Sequence, residues 1–312
     1  MSKTWLSFGQ QLVSLKSKGM QVDNDSLATS YLERVGYYRL SGYWYPFRQF
    51  DKKNTNQRLG LFVDDTHFQH IVDLYVFDKK LRLLAIDALE RIEMAVRVDI
   101  AHTLGKKDPQ AHEQADKLDG NFAKKAIKKG KNKGKTEHQL WLAKHSQLLY
   151  RARKEPFILH HNKNYQGIVP IWVAIEVWDF GCMSRLYAGM TFSDKTVIAK
   201  KYGANAKQFE QWLRSLNFIR NVSAHHSRLW NANILEQSAP LSFDSKWSKL
   251  VNYKPFFYFC IMQHMLKVIC PRSSWNQRFK SLLNEFPAVP DDTVKLKDFG
   301  VITSLEDWRL WQ

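Results

Sequence analysis

The stretch "LNFIRNVSAHHSRLWN", residues 216–231, places Arg220, Asn221, His225, His226 and Arg228 within nine positions. It holds no Cys, Asp or Glu. Leu216, Ile219, Val222 and Leu229 recur at roughly helical spacing, which predicts a helix through the stretch. On that helix Asn221, His225 and Arg228 stand at i, i+4 and i+7, on one face. Arg220 lies five residues before His225, about 140° around a regular helix. It reaches the same site only through its long side chain, or where the helix starts or bends.

These residue types suit one chemistry. Imidazole, with a pKa near ~6.5, gives and takes protons at neutral pH. Arginine is permanently charged and forks onto phosphate oxygens. Asparagine orients an imidazole or donates to a substrate. Together they fit RNA cleavage, in which the 2′-hydroxyl is an internal nucleophile. His then works as acid or base, and Arg stabilises charge on the phosphorane. No enzyme nucleophile is needed, and no metal or cofactor is expected. One histidine is thin for two proton transfers, so a second copy of the site would help.

Several elements must position this stretch. The longest clean helix is predicted from about Phe68 to His102. Its stripe Phe77, Leu81, Leu84, Ala88, Ile92 and Ala95 has spacings of 4, 3, 4, 4 and 3, with no Gly or Pro between. Asp87/Arg91 and Glu93/Arg97 form i, i+4 pairs on its wetter side, worth only ~0.2–0.5 kcal/mol each in an isolated helix. Before it come a short helix over 8–18 ending near Gly19, and a second one carrying Leu27, Tyr31, Leu32 and Val35. The aromatic and arginine-rich "YLERVGYYRLSGYWYPFRQF" follows and must dock on something, because helices so short are marginal alone. Helical patterns return at Gln139 to Lys154, near 193–201 and near 255–269, with "HHNKNYQGIVP" expected as a loop. No repeated period-2 strands with hairpin turns occur, so the chain reads as all-α. Three regions are expected: a helical N-terminal region 1–60, a helical domain 61–235 with an insertion at about 105–140, and a C-terminal helical region 236–312.

The insertion is basic. Lys124, Lys125, Lys128, Lys129, Lys131, Lys133 and Lys135 form a run of seven lysines with no acid among them, loosened by Gly130 and Gly134. It is expected to be flexible and to bury no core of its own. Two readings stay open: a solvated loop, or a tongue that binds RNA phosphates. The whole chain carries a net charge of +17 over 312 residues, a field that concentrates polyanions, nucleic acid first among them. A basic protein without such a partner, or one resting on acidic lipid, has the same balance. Eleven Trp and nineteen Phe can fill a core or stack on bases, and composition does not choose. Cys182, Cys260 and Cys270 form no C-x-x-C pair, so they read as small apolar residues rather than zinc ligands or disulfides. The segment "MSKTWLSFGQQLVSLKSKG" lacks an apolar signal core, and no apolar run approaches a membrane span. A cytoplasmic location, away from membrane, is expected.

"RNVSAHHSRLWN" resembles the R-N-x-x-x-H motif of HEPN ribonuclease domains. The wider chain resembles the Abi-type abortive-infection proteins of the AbiD/AbiF group. Further stretches that carry this are "YVFDKKLRLLAIDALERIEMAVR", "FILHHNKNYQGIVPIWVAIEVWDFGCMSRLY", "FGVITSLEDWRLWQ" and the start of the aromatic segment quoted above. The resemblance implies a HEPN-like helical bundle with a helical N-terminal extension. It also implies a metal-independent endoribonuclease giving 2′,3′-cyclic phosphate ends, or an RNA-binding effector derived from one, in phage defence. Arg220, Asn221 and His225 match the motif, and His226 is in register with the group's second histidine. Such sites commonly form across a homodimer, and AbiF-like members associate with a small noncoding RNA. A second R-x4-H, Arg97 and His102, lacks the Asn and has Glu93 as a competing partner for Arg97. Glu93 and Arg97 are expected to be able to line the pocket beside His225. Two other readings share the scaffold: a non-catalytic RNA-binding protein, and the toxin of a toxin–antitoxin pair.

Overall fold

A computed structural model describes residues 4–51, 53–54, 57–242, 244–289, 292–302 and 304–312. Helices α1 (Phe8–Lys16), α2 (Asp25–Arg34) and α3 (Tyr37–Trp44) open the chain. Ser7 and Gln10 close a capping box on α1, and Asn24 caps α2. A small antiparallel pair follows, β1 (Arg48–Phe50) and β2 (Arg58–Phe62). The sequence reading missed this hairpin, because runs of three and five residues are too short for alternation to show.

Helix α4 (Phe68–Gly105) is the spine, 38 residues and about 57 Å long. The predicted stripe is there: Phe77, Leu81, Leu84, Ala88 and Ile92 are all buried, with Ala95 half-buried. Then come α5 (Gly120–Ala123), α6 (Glu137–Arg151), α7 (Pro156–Asn164), α8 (Ile171–Ala174), α9 (Phe180–Gly189), α10 (Phe192–Lys201) and α11 (Ala206–Ala224). The chain closes with α12 (Ser245–Ser248), α13 (Pro255–Ile269), α14 (Trp275–Asn284) and α15 (Leu296–Phe299). Around α4 pack α3, α8, α10, α11, α13 and α14, giving an all-α bundle. Helix α7 takes in His160–Asn164, which the sequence reading left in a loop; Pro156 at its first turn starts it without needing an N–H.

Nine tryptophans, including Trp44, Trp141, Trp178, Trp212 and Trp230, are fully buried, while Trp5 and Trp172 are exposed. The aromatic excess is therefore core. Cys182 and Cys260 are buried too, and desolvation pushes the Cys182 thiol up to about 12, so it stays an inert thiol. Among the described residues, no helix is long and apolar enough to cross a membrane.

The insertion departs from expectation. Its first half is irregular but packed: Ala111, His112, Leu118 and Ala123 are buried. Phe122 lies against Gly189, where even a Cβ would collide with its ring. Only the lysine run projects. Ala126 bridges Thr136, Ile127 N–H donates to Lys135 O at 2.9 Å, and Gly134 N–H donates to Ile127 O at 3.0 Å. This makes a tight turn, with Gly130 and Gly134 in the left-handed region and all seven lysines exposed.

Candidate active site

Helix α11 buries Phe209, Trp212, Leu213, Leu216 and Ile219, and so presents its C-terminal turn at a fixed angle to α4 and α9. Asn205 caps its start, accepting from Gln208 N–H at 2.9 Å. Its end corrects the sequence reading. The helix stops at Ala224 rather than running on to Asn231. His226 N–H donates to Ser223 O at 3.2 Å and Ser227 N–H to Val222 O at 2.9 Å. That is the double closure of a Schellman cap, with His226 in the left-handed position at φ +58°. The usual occupant is Gly, and its absence hid the stop. Asn221 and His225 remain one turn apart, joined by His225 N–H to Asn221 O at 3.0 Å. Arg228 does not share their face: its guanidinium donates to the Gly42 carbonyl of α3.

Arg220 is half-buried and donates to Asn221 Oδ1 at 3.4 Å. It lines a cleft of about 350 Å³ with Leu89, Glu93, Arg97 and Ala224. Glu93 and Arg97 pair along α4, their side chains only 14% and 12% exposed, so they belong to the cleft wall rather than to a wet face. Arg97 also donates to Glu176 O at 3.3 Å and to Trp178 O. His102 faces a different cleft, beside Val98, Ala101 and Trp172. The second R-x4-H thus does not converge, since its arginine is held by a carboxylate and two carbonyls. His225 and His226 are exposed just past Ala224, outside the residues that line the Arg220 cleft.

The loop after α11 is held by residues the sequence reading passed over. Asp78, fully buried on α4, accepts from Trp230 N–H at 2.7 Å, Leu229 N–H at 3.1 Å, Tyr43 Oη at 2.6 Å and the Arg82 guanidinium. Burial pushes its carboxyl pKa up, and Arg82, Tyr43 and the two amides oppose that. Every neighbour is a donor, which fits the anion. Burial and Asp78 together raise the Tyr43 phenol's pKa, so it stays protonated and donates. Arg82 also reaches Ser227 O at 3.4 Å, and Arg39 of α3 donates to His226 O. The aromatic segment therefore docks on this loop, as its marginal helices required. A signal did exist: Asp78/Arg82 is an i, i+4 charge pair set directly against the apolar stripe at Phe77 and Leu81.

A larger cleft, about 610 Å³, runs between the root of the lysine turn and α11. Phe122, Glu137, Arg214 and Asn217 are among its lining residues, and Asn217 stands one turn before Asn221. Its cations are paired, Lys144 with Asp179 at 3.1 Å and Arg214 with Glu210 at 3.3 Å.

The model of a family described as Abi-like protein matches residues 30–231. No curated protein and no solved structure matches the chain. The matched span holds α3, α4, the lysine turn and α11, and ends at Asn231, immediately after the loop that Asp78 anchors. It covers well over half of the chain, which therefore belongs to the Abi-like protein family, a membership that supports a role in abortive infection.

Proposed function

We propose that this protein is a HEPN-type endoribonuclease whose cleavage of RNA needs no metal ion and serves abortive infection. The observation that carries the reading is the placement of Arg220, Asn221 and His225. They occupy the last turn and cap of α11, Asn221 and His225 exposed and Arg220 in a cleft beside the Glu93–Arg97 pair. In the reaction the 2′-oxygen forms a bond to phosphorus and the bond to the 5′-oxygen breaks. The products are a 2′,3′-cyclic phosphate and a 5′-hydroxyl. His225 moves a proton at one of these oxygens, Arg220 neutralises the phosphorane oxygens, and Asn221 orients its neighbours.

A second proton mover comes from a second copy of the chain. Met94, which lines the Arg220 cleft, and Val98, one turn further on, are exposed apolar residues of α4 that a twofold-related α4 would cover. The RNA backbone is attracted by the seven exposed lysines of the turn. A second reading, an RNA-binding protein without catalysis, draws on one observation: His225 does not line the Arg220 cleft of the single chain. Incubation of mixed RNAs with purified protein in EDTA, beside His225→Ala, separates the two. Cleavage by wild type alone supports the ribonuclease, and intact RNA bound equally by both supports the other reading.

A further inference from the structure

We propose that the cleft walled by α6, α9 and α11 is a subsite for an unpaired nucleobase of the RNA, with Asn217 as the residue that pairs with the base's edge. This rests on the reading of the protein as one that holds RNA. The cleft, about 610 Å³, is of the size that encloses small molecules. Its lining is charged but balanced. Lys144 pairs with Asp179 at 3.1 Å, Arg214 with Glu210 at 3.3 Å, and Arg185 with Glu137. A phosphate entering there would have to break these pairs and would face their carboxylates. A neutral base meets neither obstacle. Phosphates have a better place on the lysine turn, whose seven cations have no acid among them.

Two polar groups of the cleft stand outside the ion pairs. Among the described residues, neither the Asn217 amide nor the Ser184 hydroxyl has a hydrogen-bond partner, although Ser184 is only 9% exposed. A carboxamide sets an acceptor beside a donor. Each base likewise carries a donor beside an acceptor on its Watson–Crick edge, so the amide fixes a base without selecting its identity. Phe122 adds an aromatic ring to the wall. Single-stranded RNA is commonly held in this manner, its bases splayed from the backbone onto rings and hydrogen-bonding groups.

Gly181 keeps the amide open. A Cβ there would stand 3.6 Å from both Oδ1 and Nδ2 of Asn217 and 3.4 Å from Asp179 Oδ1, all ordinary contact distances. A longer side chain would cover the amide and fill the cleft. The position also suits the chemistry proposed above. Asn217 lies one turn before Asn221 and about 12 Å along α11 from His225. A strand whose scissile phosphate sits at His225 runs back along α11 and turns a neighbouring base into the cleft.

The test measures binding by fluorescence anisotropy. Every protein in it is the full chain carrying His225→Ala, so that the RNA stays whole. The probes are a short single-stranded RNA of mixed sequence and the same backbone with abasic riboses throughout. The base-bearing strand should bind at least about fivefold more tightly than the abasic one. Asn217→Ala and Gly181→Leu should each reduce that ratio severalfold, with affinity for the abasic strand and the melting temperature unchanged. Leucine is the better helix former at position 181, and where one variant fails to fold the other decides. Equal affinity for the two strands, or a preference that either folded variant leaves intact, overturns the subsite. Binding is read without cleavage, so a wild-type protein that cuts no RNA while these variants lose the preference keeps the subsite and loses only the ribonuclease reading.

Discussion

At the scale of the residue, two arginines and two histidines divide the labour at the end of α11. Arg220 and His225 touch solvent or cleft rather than core, so their loss should spare the fold. Arg220→Ala and His225→Ala are each expected to abolish RNA cleavage, the exposed His225→Ala shifting stability by less than about 0.5 kcal/mol and the half-buried Arg220→Ala by about 1 kcal/mol. Equal cleavage by both variants and wild type, measured on one RNA at matched melting temperature, contradicts the assignment. His226 is different, because its backbone is strained. A non-glycine residue in the left-handed region costs roughly 1 kcal/mol, and histidine is among the types that tolerate it best. His226→Gly should raise unfolding stability by up to about 1 kcal/mol in urea titration. A fall in stability would mean that the exposed ring contributes packing the φ angle does not reveal. The sequence made Asn221 and His225 legible as a pair, since they are four apart. It did not show that Arg228 leaves their face, because no Gly or Pro follows Ala224 to mark the turn.

At the scale of the element, α4 acts as a ruler and α3 as a clasp. Asp78 and Arg82 lie on the buried side of α4 and hold the amides of Leu229 and Trp230, which fixes where α11 can end. Asp78→Ala strands the Arg82 charge in the core. Breaking a buried pair in this way costs about 3–5 kcal/mol, so the variant should melt far below wild type or fail to accumulate. A melting temperature equal to that of wild type would show that the loop is held by Arg39 and packing alone. The helix itself was readable from its unbroken stripe. The anchor was not, because an Asp/Arg pair four apart has the same spelling on a wet face and a dry one. The insertion divided likewise: its lysines are exposed as composition demanded, but Ala111, His112 and Leu118 are core, where a few apolar residues at irregular spacing carry no period to read. If the lysine turn meets the RNA backbone, replacing its seven lysines by Gln should flatten the salt dependence of binding. Each single-strand phosphate that is no longer neutralised takes about 0.7 off the slope of log affinity against log salt. Identical slopes for the two proteins would return the turn to a solvated role.

At the scale of the whole molecule, one core unites the chain. Buried residues from Leu12 to Trp311 belong to a single hydrophobic cluster, and nine buried tryptophans sit in it. Periodicity was enough for the all-α class, and the aromatic count alone was not enough to tell core from base-stacking surface. Assembly is where the single chain is least complete, with one His225 for two proton transfers and the exposed apolar residues Met94 and Val98 at the cleft end of α4. Met94→Glu combined with Val98→Glu should yield monomers by light scattering and cut cleavage sharply without unfolding the protein. An active monomer would show that one chain suffices. The central claim is metal-free attack by the RNA's own 2′-hydroxyl, and the most direct measurement is the chemistry of the ends left after cleavage in EDTA. The account predicts 2′,3′-cyclic phosphate and 5′-hydroxyl termini by mass spectrometry, from wild type and not from His225→Ala, with DNA of the same sequence left intact. Termini bearing a 5′-phosphate, or cleavage that requires added magnesium, would contradict it.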